Sequence, residues 1–306
     1  PEEKFDVILV GGSLSAATCV EALRIEGFKG SICVVSGENA YPYNRPPLSK
    51  QVLTGKWESA QAFIYDADKY RELQIEFLFG QMATGLDILE KKLEVGEMTL
   101  VFDKLVIATG VSPRNLSRSL GDIEVPTLRT MQDANAIRDE MRSAKQAAVI
   151  GAGVLGCEIA SSLHASGIKI VVIEQLPAPQ IPNTAGLISE IIRKQFQKNG
   201  ISLICGVEVE SITGLDGKIN VTLSNGDTLE VDMLVAAIGS VPNTDWLIDS
   251  GLPLENGVLC DEVGRVTSDI YAIGDVARWH DPLTKKSIRR ENQSSAIDQA
   301  LIVAKH

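Results

Sequence analysis

The chain has 306 residues, of which 44% are hydrophobic and 23% charged, a balance typical of a globular protein with about two domains. The formal net charge of −11 argues against nucleic acid or an anionic membrane as the main partner, because an acidic surface repels phosphate, although a local basic patch is still compatible with it. The five cysteines include no closely spaced pair, and the histidines add no metal-ligand spacing, so we expect neither a disulfide framework nor a metal site.

The predicted elements, taken in chain order, contain a pattern that occurs twice: an apolar strand, a glycine turn, a helix and a second strand. The first copy comprises residues 5–10, 11–12, 13–24 and 31–35, and the second comprises 147–150, 151–153, 154–164 and 169–173. Downstream of each copy lies another apolar strand that ends in glycine, KLVIATG at 104–110 and MLVAAIG at 233–239. We interpret this repeat as an α/β architecture with two Rossmann-type units.

Other segments predict elements between and after the two units. They are antiparallel strands at 99–103, 201–213 and 218–223, helices at 130–143 and 185–199, and a short strand at 270–273. No apolar run has the roughly 18–20 residues that a membrane span needs, and no signal peptide is evident. We therefore expect a cytoplasmic protein with no membrane segment.

The first glycine turn, Gly11-Gly12-Ser13-Leu14-Ser15-Ala16, departs from the dinucleotide-binding pattern GxGxxG. Ser13 replaces the second glycine, although its hydroxyl can donate a hydrogen bond to phosphate. Ala16 replaces the third glycine, where alanine still permits close packing. Alone, this turn fits a phosphate site and a plain strand–helix connection equally well, and the duplicate favours the phosphate site. Glu38, the first acid after the second strand, is the candidate ligand of an adenosine ribose.

The second turn, Gly151-Ala152-Gly153-Val154-Leu155-Gly156, matches GxGxxG in full, follows a strand and opens a helix. Gly151 makes the turn, Gly153 lets the backbone approach a pyrophosphate, and Gly156 lets helix and strand pack closely. The helix N-terminus supplies N–H groups to phosphate oxygens. Glu174 ends the next strand, where a carboxylate binds a ribose 2′-hydroxyl and repels a 2′-phosphate, so we expect NADH rather than NADPH. The alternative is a glycine turn with an exposed glutamate.

The string YNRPPLSK at 43–50 is the most specific in the chain. Together with LVIATG, LRTMQDA, VIGAGVLGCE, AAIGSVPN, SDIYAIGDVA and RRENQSSAIDQA, it resembles the NADH-dependent ferredoxin and rubredoxin reductases of oxygenase systems over almost the whole chain. The resemblance implies a glutathione-reductase-like fold with FAD as cofactor. It also implies hydride transfer from NADH to flavin N5 and single-electron transfer to a ferredoxin or rubredoxin.

The resemblance assigns roles to individual residues. Lys50 is the lysine beside flavin N5, and Glu158 is the glutamate that pairs with this lysine near the nicotinamide. Asp275 holds the ribityl chain of FAD, and Arg45 meets the flavin pyrophosphate or ring. Further FAD contacts fall on Ala108, Thr109, Gly110, Arg129, Gly274, Glu291, Asn292 and Gln293, and further NAD contacts on Ile238 and Gly239.

Each of these assignments has an alternative. Lys50 is otherwise a surface lysine, and Glu158 a solvated acid on a helix. Arg45 is otherwise part of a surface ion pair, and Asp275 a helix N-cap at the start of the helix expected after it.

Three features distinguish the chain from its relatives. Gln293 stands where the family carries an aromatic residue after the glutamate at Glu291. The family has a third, C-terminal domain, whereas this sequence ends at His306, so either the sequence is partial or the protein lacks that interface domain. More distant relatives carry redox-active cysteines just after the first unit, but residues 41–50 contain none, so we expect no dithiol relay.

The expected organisation is a discontinuous FAD-binding domain, 1–113 and 245–306, with an NAD(P)H-binding domain inserted at 114–244. The basic run consists of Lys285, Lys286, Arg289 and Arg290, and it is either a docking patch for an acidic ferredoxin or a solvated loop. A homodimer is compatible with the sequence. Two alternatives to a ferredoxin reductase remain: an NADH-dependent flavoenzyme that reduces quinone, oxygen or a small acceptor, and a flavin-binding signalling protein.

Overall fold

The computed structural model describes residues 2–121, 123–181, 184 and 186–306. Within them the chain divides into two compact units. The first comprises the described residues of 1–44, 63–112 and 241–306, and the second those of 45–62 and 113–240. The expected boundaries differ from this division by a few residues. The larger difference is the segment 45–62, which we expected in the first unit and which packs within the second.

The N-terminal part of the first unit is a parallel sheet with an antiparallel extension. Its elements are β1 Glu2–Val10, α1 Leu14–Ile25, β2 Ile32–Ser36, α2 Ala67–Glu72, β3 Ile75–Phe79, β4 Ala83–Asp87, β5 Lys92–Val95, β6 Met98–Ile107 and the short β7 Val111–Pro113. The parallel strands have the order β3-β2-β1-β6. The prediction of a separate antiparallel strand at 99–103 was wrong in part. These residues begin β6, which pairs antiparallel with β5 at its start and parallel with β1 from Thr99 to Ile107.

The second unit repeats this plan. Its elements are α3 Met131–Met141, β8 Gln146–Ile150, α4 Val154–Ala165, β9 Lys169–Glu174, α5 Leu187–Asn199, β10 Ser202–Cys205, β11 Val209–Leu215, β12 Lys218–Leu223, β13 Thr228–Val231 and β14 Met233–Ala236. The parallel order β10-β9-β8-β14 matches β3-β2-β1-β6 strand for strand. Strands β11, β12 and β13 form an antiparallel meander. Ala185, where the sequence predicted a helix to begin, lies outside the described residues.

The predicted single strand at 201–213 was also wrong in part. Gly206 adopts a φ of +75°, a left-handed conformation that interrupts the strand. Residues before it form β10, which adds to the parallel sheet beside β9, and only residues after it form β11. Alternation of side chains cannot distinguish these two partners, because both kinds of strand have a period of two.

The C-terminal part returns to the first unit. Its elements are β15 Ser240–Pro242, β16 Val258–Cys260, β17 Ile270–Ala272, β18 Ala277–Asp281, β19 Lys286–Arg289 and α6 Gln293–Val303. Strand β17 adds to the parallel sheet beside β6, and β16, β18 and β19 form a small separate sheet. The helix expected directly after Asp275 is a single 3₁₀ turn, Gly274–Val276, and α6 follows only after the β18–β19 hairpin.

Each unit has its own apolar core. In the first, Ile8 and Leu9 of β1 are fully buried, because a central parallel strand is covered on both faces. Each such side chain contributes about 1.5–3 kcal/mol to folding. In the second unit, Ala148 of β8 and Val221 of β12 are likewise inaccessible to solvent. The duplicated α/β fold predicted from the repeat is confirmed. No helix among the described residues is both long and apolar enough to cross a bilayer.

Candidate functional site

The first glycine turn joins β1 to α1 in a closely packed arrangement that requires glycine. Gly11 has a φ of +114°, and a Cβ atom there would lie 2.1 Å from the carbonyl oxygen of Ala108. A Cβ on Gly12 would lie 2.6 Å from the hydroxyl of Ser36. The N–H of Gly11 donates to the carbonyl of Val35 at 2.8 Å. Only glycine fits the first two positions, as the turn requires.

The second turn joins β8 to α4 with the same geometry. Gly151 has a φ of +102°, and its Cβ would lie 2.2 Å from the carbonyl oxygen of Ala237. A Cβ on Gly156 would lie 2.0 Å from the carbonyl oxygen of Gly151, so helix and turn are in van der Waals contact. A Cβ on Gly153, by contrast, would meet no atom within 4 Å. The space at Gly153 is therefore available to a ligand that approaches the backbone.

The strand ends that face the two turns are also duplicated. The N–H of Ala108 donates to the carbonyl of Val10 at 2.8 Å, and the N–H of Ala237 donates to the carbonyl of Ile150 at 2.7 Å. The residue two positions after each alanine is a glycine with positive φ, +64° in the first unit and +96° at Gly239 in the second. The LVIATG and AAIG strings are thus structural partners of the glycine turns.

Both helices begin without a capping side chain. Ser13 is the N-cap residue of α1, but its side chain makes no capping hydrogen bond, and Gly153 is the N-cap residue of α4. Neither first turn contains an acid. Because the first N–H groups of a helix have no partner within it and carry partial positive charge, these N-termini are suited to phosphate oxygens.

Glu174 ends β9 and is only 7% exposed. Its Oε2 accepts the N–H of Ala152 at 2.7 Å, and its Oε1 accepts the N–H of Leu176 at 2.9 Å. The carboxylate is therefore held against the glycine turn in one orientation. The alternative interpretation, a solvent-exposed glutamate, does not fit this burial. Glu38, after β2, is half-buried and accepts a hydrogen bond from the hydroxyl of Tyr43.

Lys50 and Glu158 form an ion pair, with 2.7 Å between Nζ and Oε1. Lys50 follows a 3₁₀ turn, Pro46–Ser49, in which the two prolines are pre-set for helical φ. Glu158 lies on α4, and its Oε2 accepts the hydroxyl of Ser49 at 2.6 Å. Sequence reasoning missed Ser49, although it belongs to the RPPLSK string.

The turn around Asp275 is held by two neighbouring helices. Gly274 has a φ of +75°, and a Cβ there would lie 2.9 Å from the hydroxyl of Ser15 on α1. The N–H of Gly274 donates to Oε1 of the buried Gln299 on α6 at 2.8 Å. Arg289 donates to the carbonyl of Asp275 at 3.0 Å. Gln299 and Arg289 were not predicted to support this turn.

Other predicted contacts lie at loop and helix ends. Arg45 donates to the carbonyl of Arg129, which places RPPLSK beside the start of α3. Asn243, which the sequence did not single out, binds the last two residues of the LVIATG string. Its Nδ2 donates to the carbonyl of Thr109 at 2.8 Å, and its N–H donates to the carbonyl of Gly110 at 3.0 Å.

The residues 291–293 lie at the start of α6. Asn292 is the N-cap of this helix and accepts an N–H of its first turn, a local structural role. Glu291 pairs with Arg289 at 2.6 Å. Gln293 is exposed, and its Nε2 lies 3.4 Å from Oδ1 of Asn44.

The basic run does not form one continuous patch. The side chain of Arg289 is only 12% exposed, because it points toward the Asp275 turn. Arg290 is exposed and lies 3.6 Å from a carboxylate oxygen of Asp281, while Lys285 and Lys286 are exposed at the hairpin turn. Arg289 is therefore not part of any exposed docking patch, which at most comprises the other three cations.

The cysteines are free thiols with suppressed acidity. Burial raises the pKa of Cys19 and of Cys33 to about 12, and burial together with nearby carboxylates raises the pKa of Cys157 to about 11. Such thiols are protonated at neutral pH and are poor nucleophiles. In the part of the chain that the structure describes, no three His, Cys, Asp or Glu side chains are grouped to hold a metal ion.

Two Rossmann-type units, each with a glycine turn that opens on an uncapped helix, define the class of proteins that bind two dinucleotides. The chain belongs to the pyridine nucleotide-disulphide oxidoreductase family, whose model matches residues 5–300. Membership implies FAD and a nicotinamide dinucleotide as cofactors. The open space at Gly153 and the acid-free helix N-termini fit such ligands.

The relatives are rubredoxin, ferredoxin and similar reductases, one of them named for a benzene dioxygenase system, which confirms the resemblance seen in the sequence. The chain is 30% identical to rhodocoxin reductase of Rhodococcus erythropolis, covering 97% of this chain and 71% of the relative. It is 31% identical to the benzene 1,2-dioxygenase system ferredoxin–NAD(+) reductase subunit of Pseudomonas putida, covering 98% and 73%. It matches the structure of the covalent putidaredoxin reductase–putidaredoxin complex with a TM-score of 0.93 at 27% identity, covering 99% of this chain and 74% of that one.

Proposed function

We propose that this chain is an NADH-dependent FAD enzyme that passes electrons to a ferredoxin or rubredoxin serving an oxygenase. The observation that carries the proposal is the pair of glycine turns, each opening on an uncapped helix N-terminus at its own parallel sheet. Two such turns provide for two dinucleotides, one flavin and one nicotinamide. Relatives named for ferredoxin and putidaredoxin reduction support this class of acceptor.

The first unit is proposed as the FAD-binding domain and the second as the NAD(P)H-binding domain. The turn Gly11–Ala16 and the N-terminus of α1 would hold the FAD pyrophosphate, while Glu38 binds the adenosine ribose and Asp275 the ribityl chain. The glycine turn at α4 would hold the NADH pyrophosphate in the space at Gly153. The other proposed FAD contacts are Arg45, Lys50, Ala108, Thr109, Gly110, Arg129, Gly274, Glu291, Asn292 and Gln293, and the other NAD contacts are Val154, Leu155, Ile238 and Gly239.

When bound, FAD accepts the hydride of NADH and releases its electrons one at a time. Lys50 is proposed to hold positive charge beside flavin N5, where negative charge develops. Glu158 holds the ammonium group of Lys50 through the 2.7 Å ion pair. Their side chains are 43% and 29% exposed, so the pair adds only about 0–1 kcal/mol to stability.

The preference for NADH over NADPH is proposed to come from Glu174. Both of its carboxylate oxygens accept backbone N–H groups, which fixes the negative charge next to the second glycine turn. A 2′-phosphate at the same place would bring two anions together in a buried setting, whereas a 2′-hydroxyl can donate a hydrogen bond.

The proposed partner surface is the hairpin turn with Lys285 and Lys286 together with Arg290. These cations are exposed on a chain of net charge −11, so they would orient an acidic iron–sulfur protein toward this hairpin. Replacing Lys285 and Lys286 by glutamate should raise the KM for ferredoxin several-fold and make this KM less dependent on salt concentration. Lys305→Glu, at an exposed lysine outside the hairpin, is the control and should leave the KM unchanged. An unchanged KM in the hairpin variant would remove this surface.

A cytoplasmic location is proposed from the five free cysteines, since a reducing compartment keeps thiols unpaired. The proposal of function is tested by an absorption spectrum of the purified protein followed by anaerobic titration with NADH. We expect a bound flavin whose absorption is bleached by one equivalent of NADH. A colourless protein that does not take up FAD would contradict the proposal.

The role of Lys50 is tested by stopped-flow measurement of flavin bleaching. Lys50→Ala should slow reduction about tenfold or more, the factor expected when one charge contact to the reacting ring is lost. Lys56→Ala, in the same segment and exposed, is the matched control and should match the wild type. Cytochrome c reduction with and without added ferredoxin then separates an electron-transfer reductase from an enzyme that reduces small acceptors directly.

A further inference from the structure

One face of α4 contacts the RPPLSK turn through two side chains one helical turn apart. Glu158 and Ser162 have the i, i+4 spacing that places side chains on the same helix face. Glu158 accepts the hydroxyl of Ser49 at 2.6 Å, and the hydroxyl of Ser162 donates to the carbonyl of Ser49 at 2.6 Å. Ser49 is therefore held at both its side chain and its backbone, directly before Lys50.

The single hydroxyl proton of Ser49 has two acceptors within reach. The Glu158 oxygen lies at 2.6 Å, whereas the carbonyl of Pro46 lies at 3.3 Å. A short hydrogen bond to a carboxylate is about twice as strong as a neutral one, so the proton is directed to Glu158. This bond engages Oε2 and leaves Oε1 facing the ammonium group of Lys50.

The two serines are buried, whereas the ion pair is partly exposed. Ser49 and Ser162 are 3% and 7% exposed, whereas the side chains of Lys50 and Glu158 are 43% and 29% exposed. An ion pair so accessible to water ordinarily samples several geometries. Two buried hydroxyls behind it restrict the rotation of the carboxylate and the path of the backbone that carries the lysine.

We propose that Ser49 and Ser162 are positioning residues that fix the Glu158 carboxylate and, through it, the ammonium group of Lys50. This inference rests on the proposed function, since the ion pair acts there on the flavin. Neither serine touches the reacting atoms in this scheme. Their effect is exerted entirely through the position of the ion pair, and this gives the inference a distinct test.

The test is a double-mutant cycle on the FAD-loaded enzyme, with Ser49→Ala, Lys50→Ala and the double variant. Ser49→Ala alone should slow flavin reduction by NADH about tenfold, the effect of losing one hydrogen bond to a charged group. In the Lys50→Ala background the same change should have no further effect, because the residue through which Ser49 acts is absent. An equal slowing in both backgrounds would overturn the positioning role.

A second measurement does not depend on turnover. The midpoint potential of the bound FAD should shift in the same direction in Ser49→Ala as in Lys50→Ala, and an unshifted potential in Ser49→Ala would contradict the inference. Ser162→Ala serves if Ser49→Ala fails to fold. Ser161→Ala is the matched control, because among the described residues its hydroxyl bonds to the carbonyl of Cys157 in its own helix and not to the RPPLSK turn. If Lys50→Ala itself left reduction unchanged, the proposed role of the ion pair would fail, and the positioning role with it.

Discussion

Replacing Gly153 by alanine should weaken NADH binding while leaving the protein folded. Gly153 has a φ of −73°, which any L-residue adopts, and an added Cβ would meet nothing within 4 Å. The same methyl group would occupy the space through which a pyrophosphate approaches the turn. The effect on binding and the effect on stability are therefore separable at this position.

The magnitudes follow from the geometry. At a helix N-cap, exchanging glycine for alanine lowers the free energy of unfolding by about 0.5–1 kcal/mol. Alanine also reduces the conformational entropy of the unfolded chain, which raises the free energy of unfolding by about 0.4–1 kcal/mol and offsets most of this loss. The melting temperature should therefore stay within about 2 °C of the wild type. Displacing the pyrophosphate from the helix N-terminus should weaken NADH binding at least tenfold, or about 1.4 kcal/mol.

Gly156→Ala is the contrasting substitution in the same turn. Its Cβ would lie 2.0 Å from the backbone carbonyl oxygen of Gly151, so helix α4 must shift to accept it. Overpacking of this kind costs about 1–3 kcal/mol, and each kcal/mol lowers the melting temperature by about 2–4 °C. This variant should lose stability as well as nucleotide affinity.

Circular dichroism melting and calorimetric titration with NADH check both expectations, and the FAD content of each variant serves as an internal control. An unchanged NADH affinity in Gly153→Ala would show that the phosphates do not approach this turn. If the melting temperature of Gly153→Ala fell as much as that of Gly156→Ala, the conclusion that a Cβ at residue 153 meets no protein atom would be wrong.

Further predictions concern Glu174, Asp269 and the thiols. Glu174→Gln should lower the NADH-to-NADPH ratio of kcat/KM and should lower stability, because the amide NH₂ faces one of two buried N–H donors. Hydrogen bonds from Lys104 and a second lysine lower the pKa of Asp269 to about 2. The pKa of Asp269 is therefore lower in the folded than in the unfolded state, so its carboxylate stabilises the fold, by on the order of 1 kcal/mol after solvent screening. This stabilisation is present above about pH 4 and is lost as the pH falls toward 2. Asp269→Asn should therefore be less stable than wild type in denaturant melts at pH 7 but not near pH 2. In native alkylation at pH 8, Cys205, which is only partly buried, should react before Cys19; the reverse order would contradict the burial argument.

The repeated strand–turn–helix units were predictable because glycine is needed wherever a Cβ would strike a backbone oxygen. Gly11 and Gly151 meet this condition against Ala108 and Ala237, and both lie in strings visible in the sequence. The continuous apolar runs of β1 and β9 likewise indicate parallel strands buried on both faces.

Other features depended on contacts between segments distant in the chain. The segment 45–62 joins the second unit because its Ser49 and Lys50 bind α4, more than 100 residues away in sequence. Arg289 lies within a basic run, yet it points toward the Asp275 turn, whose carbonyl accepts its hydrogen bond. A local sequence pattern cannot show which distant residue a side chain contacts.

The sequence by itself determined the duplicated α/β plan, the two glycine turns and the absence of a cysteine pair near the first unit, because each is a property of local spacing and side-chain type. Only the tertiary structure decided how Glu174 is oriented, which cations of the basic run are exposed, and that Ser49 lies behind the Lys50–Glu158 pair. These depend on which distant segments meet, and the packing of strands and helices determines those meetings.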